Sequence, residues 1–382
     1  MKRIYVFVKP NMDTFINPIV EYLRRFYDVH IYYGGTHQEF WNTINRGDLI
    51  WFEWADDWCQ NATSGEKFGF KYLIRMHSYE IFTPIVARIN WNQVDSLVVP
   101  NQSLFEVINK IKSFDIEAQK VAAKQQNREF NVRPDMIPPI FIPERVNVIP
   151  NPVDGKRFKF IERENKKTIG LLGQINFKKD PMLALYAFLE IVKYDPEFTL
   201  HIAGNFMEPR YRLKMEELVK DAGIVENVAF YQVHEDKLPQ WLGDMNYVMS
   251  TSLFESFHYS IANGMATGAI PLISNWTGAE NLYPKEYIWT SISDCIDIIK
   301  KTQGMNLIEQ GRQCRKWVID KFKKEDVFKE YKKLIDRLLW SDKFAEDINN
   351  GKDPAEVWQE IGLQHVNYQD VVAYCKVMGM IK

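Results

Sequence analysis

Ser252-Leu-Phe-Glu255-Ser-Phe-His258-Tyr-Ser-Ile-Ala-Asn263-Gly-Met-Ala-Thr-Gly268 is the stretch from which the fold can be read. The apolar run Tyr247-Val248-Met249 precedes it and reads as a buried strand, and Ile270 to Ile273 comes after it as a second one. Between them Ile261 to Ala266 has the small, helix-compatible residues of a tightly packed helix. The segment therefore spells strand, polar turn, helix, strand. In such a unit the turn at a strand's carboxyl end meets a helix amino end, where N–H groups and the helix dipole attract an anion. Glu255 falls on that turn and Asn263 on the helix behind it, eight positions later.

Outward from this point the alternation continues. Thr168 to Leu172, Phe198 to Ala203 and Val228 to Tyr231 read as strands, with helical spacing over Pro181 to Tyr194, Tyr211 to Ala222 and Lys237 to Gly243. The amino-terminal half repeats the pattern. Its strands are Arg3 to Val8, Val29 to Tyr33, Leu49 to Trp54, Tyr72 to Met76 and Ser96 to Val99, with a helix over Asp13 to Phe26. Strands alternating with helices predict parallel sheets joined by crossovers. Residues 106–145 interrupt the series with a lysine-rich helical stretch, Glu106 to Arg128, and an irregular segment holding Pro134, Pro138, Pro139 and Pro143. Val146 to Asp154 then reads as a strand running into a proline-punctuated hinge. After Asp294 the pattern is helical, and Asp353-Pro354-Ala355-Glu356 marks a helix start. The expected organisation is an α/β chain with doubly wound domains over 1–150 and 151–335 and a helical extension over 336–382. Such domains present a ligand site at the carboxyl ends of their strands, in a cleft between the two.

Composition bounds the function. The chain has 382 residues, of which 46% are hydrophobic and 26% charged, so it can bury substantial cores. A net charge of −2 argues against a general nucleic-acid binder. Met1 to Val8 reads as a first core strand rather than a secretory leader, and no apolar run is long enough to span a bilayer. Cys59, Cys295, Cys314 and Cys375 are scattered without metal-type spacing and read as reduced thiols of a cytoplasmic protein. Aromatic content is high at 14%, most of it expected in the cores.

Several of these stretches together resemble the GT-B glycosyltransferases, and most closely the retaining glycosyltransferase family 4. Val148-Ile149-Pro150-Asn151-Pro152-Val153-Asp154 is similar to the family's interdomain linker. Gly173-Gln174-Ile175-Asn176-Phe177-Lys178-Lys179-Asp180-Pro181 resembles its phosphate loop, His201-Ile202-Ala203-Gly204 its following strand, and Ser252 to Pro271 its Ser-x-x-Glu block. The resemblance is dense over Val146 to Pro284; before that it rests on Arg75-Met76-His77-Ser78-Tyr79-Glu80 and the strand order. It implies a GT-B fold, two Rossmann-like domains facing a cleft, with carboxyl-terminal helices crossing back. The chain departs from the family pattern in three places. Asn263 replaces a glutamate, Gln174 stands at an arginine position, and Lys9-Pro10-Asn11-Met12 replaces a glycine pair.

The resemblance also implies site roles. Lys179, with Lys178 beside it, would neutralise a departing diphosphate. Glu255 would contact the donor sugar, and His77 the transferred sugar or the reaction centre. The main chain of Phe257, His258, Tyr259 and Ser260 would cradle phosphate, Asn263 would hold ribose hydroxyls, Gln174 would donate to phosphate, and Val233 would hold the base through its backbone. The implied donor is a UDP- or GDP-sugar and the acceptor a hydroxyl of a glycan, a lipid-linked molecule or another compound. No Asp-x-Asp motif stands in a suitable context, so metal-independent transfer without a cofactor is expected. Asp56-Asp57, beside the tryptophan-rich Trp51-Phe52-Glu53-Trp54, reads as surface or acceptor wall. Lys110, Lys112, Lys120, Lys124 and Arg128 read first as a solvated helix face. The same face suits an anionic acceptor or a peripheral membrane contact, with modified DNA bases the less favoured choice. A sugar-nucleotide-binding protein without turnover is the alternative that Asn263 and Gln174 suggest, and an epimerase of the same fold is a weaker one.

Overall fold

The computed structural model describes residues 1–67, 69–126, 129, 145–361, 368–377 and 380–381. The chain divides into two compact units, Met1–Pro150 with Glu325–Lys382, and Asn151–Lys324. The first unit is therefore discontinuous: the helix Lys324–Asn349 and the helices Pro354–Ile361 and Tyr368–Val377 return to it, as the resemblance implied.

The first unit is built on a six-stranded sheet of β1 (Arg3–Phe7), β2 (Asp28–Tyr32), β3 (Leu49–Phe52), β4 (Lys71–Arg75), β5 (Ser96–Val99) and β6 (Val146–Val148). Its order is β2-β1-β3-β4-β5-β6, and every pairing is parallel. β3 and β5 are buried along their whole length, as expected of parallel strands covered on both faces. The returning helix closes one face: Tyr331, Ile335 and Leu338 pack in one core with Ile4, Val6, Leu49 and Trp51. Trp51 and Tyr331 stack with ring centroids 5.2 Å apart, an aromatic pair worth about 1 kcal/mol beyond the area it buries.

The second unit carries β7 (Thr168–Leu172), β8 (Thr199–Ala203), β9 (Val228–Tyr231), β10 (Tyr247–Ser250), β11 (Ile270–Ser274) and β12 (Ile288–Trp289). Their order is β12-β11-β10-β7-β8-β9, again all parallel. β7 and β10 are neighbours, and the chain leaves them in opposite directions across the sheet, so the order reverses between them. That reversal opens a crevice outside the carboxyl ends of the two strands. Gly173 (φ +146°) and Gly204 (φ +147°) end β7 and β8, and their loops lie so close that a Cβ on Gly204 would fall 1.7 Å from the Gly173 carbonyl oxygen. Only glycine fits there.

Asp57 is exposed and Asp56 half-buried, both paired with Lys9, while the neighbouring Trp51, Phe52 and Glu53 are core. The lysine-rich helix runs Ser103–Gln125 with Lys110, Lys120 and Lys124 exposed; the side chain of Lys112, Arg128 and the proline segment lie outside the described residues. All four cysteines are buried and free. Among the described residues no helix is long and apolar enough to cross a membrane.

Candidate functional site

The loops that leave β7 and β10 are stitched together by hydrogen bonds to backbone carbonyls. Leu253 N–H donates to the Lys178 carbonyl at 2.8 Å, and the Thr251 hydroxyl donates to the Lys179 carbonyl at 2.8 Å. Phe177–Lys179 forms a single 3-10 turn whose start is capped by Asn176, which accepts from Lys179 N–H. Asp180, with φ +41°, then caps the helix Pro181–Tyr194 by accepting from Leu183 N–H. This geometry turns both lysine side chains toward the loop after β10.

There they meet Glu255. Lys178 Nζ lies 2.9 Å from Oε2 and Lys179 Nζ 2.5 Å from Oε1. The Ser252 hydroxyl donates to Oε1 at 3.0 Å. The glutamate is nearly sealed, at 7% side-chain exposure, whereas Lys178 keeps 34% and Lys179 19%. Burial pushes the carboxyl up, but Lys179, with His258 and Lys178 behind it, outweighs burial and holds it well below the ordinary carboxylate range. Two cations thus share one carboxylate, and both keep part of their side chains open to solvent.

His258 opens the next helix, Tyr259–Thr267, from the left-handed region at φ +73°, ψ +74°. It occupies the position where the resembled family often has glycine, and its backbone has the conformation glycine favours. Its side chain, for which no role was expected, is buried between two hydroxyls: Nε2 is 3.2 Å from Ser252 Oγ and Nδ1 2.9 Å from Ser260 Oγ. Burial, reinforced by Lys179, pushes the imidazole down to about 3, so it is neutral at physiological pH. The Tyr283 hydroxyl donates to the carbonyls of Phe257 and His258, fixing the turn from below. Ile261 N–H and Ala262 N–H both donate to the His258 carbonyl at 3.2 Å, and the positive end of the helix dipole lies at this turn.

The structure thus brings Lys178, Lys179, Glu255, His258 and Ser260 into one cluster. The ring of Phe257 belongs to the core, packing 4.9 Å from Phe322, so only its main chain is left for a ligand. Asn263 is half-buried in the second turn of the helix. Gln174 is exposed just beyond β7, and Val233 is half-buried in the loop after β9; both lie at the same edge of the sheet.

His77 belongs to the first unit, past the end of β4. Arg75 Nη1 donates to Glu53 Oε1 at 2.9 Å, and His77 Nε2 lies 3.4 Å from the same oxygen. Glu80 accepts from the N–H of His77, at 3.1 and 3.2 Å, and from that of Ala55 at 3.2 Å; burial raises its carboxyl. The His77 ring lies 4.3 Å from that of Trp54. Sequence reasoning missed Glu53 and Ser252. Glu53 and Arg75 each stand as a lone charge near the end of an apolar strand, a signal that the two meet, and Ser252 stands three residues before Glu255. Among the described residues no group of three or more His, Cys, Asp or Glu gathers in a metal-binding arrangement.

This architecture is shared. The profile of the family "Glycosyl transferases group 1" matches residues 153–287, the part of the second unit that holds the cluster. The fold is that of the GT-B glycosyltransferases. Among solved structures, HepE from Anabaena in complex with UDP superposes with a TM-score of 0.66 at 13% identity, covering 88% of this chain and 99% of HepE. A glycosyltransferase from Rickettsia africae superposes at 0.63 and 12%, covering 88% and 98%. Sucrose-phosphate synthase from Thermosynechococcus elongatus aligns at 0.59 and 12%, covering 88% and 98%. At these identities the likeness is one of fold. No curated protein sequence matches the chain.

Proposed function

We propose that the chain is a glycosyltransferase that takes a hexose from a UDP- or GDP-sugar and transfers it to an acceptor hydroxyl with retention at the anomeric carbon. The observation that carries this reading is the meeting of Lys178, Lys179 and Glu255 where the strand order of the second unit reverses. The donor's diphosphate sits between the two lysines and the amino end of Tyr259–Thr267, where cations and N–H groups answer its charge. Glu255 then faces the sugar hydroxyls, Asn263 the ribose, Val233 the base through its main chain, and Gln174 the phosphate edge. HepE is also known in complex with UDP-glucose, which supports a UDP-hexose donor.

As the bond from the anomeric carbon to the diphosphate oxygen breaks, negative charge grows on that oxygen and Lys179 stabilises it. The acceptor oxygen bonds the same face of the sugar, and its proton passes to the leaving phosphate, which yields glycoside and nucleoside diphosphate. His258 is held neutral and enclosed, so the phosphate itself is the base in this scheme. His77 contacts the transferred sugar. The lysines supply the positive charge that a divalent cation would bring, so transfer proceeds without added metal, and the buried thiols suit a cytoplasmic location.

The test is calorimetric titration of the full chain with UDP, GDP and their hexose conjugates, followed by assay of diphosphate release over a panel of hydroxyl acceptors, with and without a chelator. Binding of one nucleotide series and chelator-resistant release are expected. If no nucleoside diphosphate binds, the assignment of the site is wrong. If binding occurs with no release for any acceptor, the chain is a sugar-nucleotide binder.

A further inference from the structure

We infer that His258 is a positioning residue, which holds Glu255 in its sugar-facing orientation through Ser252 when the donor diphosphate draws the lysines away. The inference rests on the donor site proposed above and deepens it. Glu255 has two kinds of partner. Lys178 and Lys179 are cations, and a diphosphate competes for them directly. Ser252 is neutral, and no anion competes for it in the same way. A carboxylate held by the lysines alone would lose its fixed position when the donor arrives.

The hydrogen-bond directions along this neutral arm are set by chemistry. An ionised carboxylate only accepts, so the Ser252 hydroxyl spends its one hydrogen on Glu255 Oε1. The 3.2 Å contact between Ser252 Oγ and His258 Nε2 then requires that Nε2 carry the proton and donate. In the neutral ring Nδ1 is bare and accepts from the Ser260 hydroxyl at 2.9 Å. The chain runs one way, from Ser260 through His258 and Ser252 to Glu255, and begins in the first turn of the helix Tyr259–Thr267. The backbone supports a role for the side chain. Histidine sits at φ +73°, a conformation that costs an L-residue and costs glycine little. The charged groups facing the ring are Glu255, Lys179 and Lys178. The two cations disfavour protonation and keep the ring in the neutral form the chain requires.

Two measurements test this. In the full-length protein labelled with ¹⁵N-histidine, the resonance lost in His258→Asn should show the neutral Nε2–H tautomer, unchanged between pH 5.5 and 8. A ring that titrates in that range, or carries its proton on Nδ1, overturns the chain whatever the enzyme does. In the transfer assay, His258→Gly and Ser252→Ala should each lower kcat about tenfold, with KM for the donor changed less than about twofold. The double variant should be no worse than the single ones, because both cut one chain. Ser252→Ala leaves the backbone of the turn unaltered and so guards against misfolding of His258→Gly. A kcat within twofold of wild type in both, or losses that multiply to about a hundredfold in the double variant, would defeat the proposal. Failure of the wild type to bind any nucleoside diphosphate would instead count against the donor site, and the tautomer measurement would still decide the chain.

Discussion

Each unit places a buried carboxylate just past the end of a central strand, and the two are treated differently. Glu53 of the first unit and its partner Arg75 are both wholly sealed, at 0% exposure. Glu255 of the second is also sealed, but its lysines remain partly open to solvent. A closed pair holds a fold together and gains nothing from a ligand. A buried carboxylate with accessible cations is a site whose electrostatics a ligand can complete. The contrast separates effects on stability from effects on turnover.

The largest effect should come from breaking the closed pair. Glu53→Gln leaves the Arg75 guanidinium buried opposite a neutral amide, a loss of about 3–5 kcal/mol readable as a shift in the urea midpoint. Replacing both by apolar residues of similar volume should restore most of it. If Glu53→Gln instead lowered kcat at unchanged stability, the two carboxylates would be alike after all. Next comes Glu255→Ala, expected to cut kcat/KM by about a hundredfold or more through lost transition-state contacts. It should also lower the melting temperature modestly, since two lysines are left facing each other. Lys179→Ala should weaken nucleoside diphosphate binding by about tenfold in calorimetry, and the more exposed Lys178 by less.

The response to acid is smaller and its sign is fixed. An unfolded histidine takes a proton near pH 6.5, whereas His258 in the fold stays neutral down to about 3, so stability falls as pH drops below about 6.5. The depressed carboxyl of Glu255 stabilises fully above about pH 4.5, and that share is lost below it. His258→Asn should flatten the melting temperature between pH 6.5 and 4.5 and leave the lower step in place; an unchanged slope there would remove His258 from this account. The smallest effect belongs to Asn263→Ala, a change in donor KM of about threefold, since a neutral amide gives a hydroxyl only modest net binding.

Much of this was legible in the residues. Continuous apolar strands alternating with helices announced two parallel sheets, and the ends of β7, β10 and the helix after β10 could be placed from Gly173, Ser252 and the small residues past Ile261. What escaped was non-local. No spacing rule tells that Lys178 and Lys179 reach a glutamate more than seventy positions away, because that meeting depends on β7 and β10 being neighbours. The role of the His258 ring was hidden for another reason. A resemblance to a family that has glycine there directs attention to the backbone and away from the side chain. Glu53 drew no attention because its partner Arg75 lies on another strand, and the pair forms only when β3 and β4 stand side by side.

That returning helix bears on the order in which the protein is made. The second unit is one unbroken stretch, Asn151–Lys324, and every strand it needs has been translated by then. The first unit, though begun earlier, waits for Tyr331, Ile335 and Leu338 to cover Trp51 and Leu49. On the ribosome the later-encoded unit can finish first, while the earlier one keeps an uncovered apolar face, open to chaperones, until the helix Lys324–Asn349 emerges.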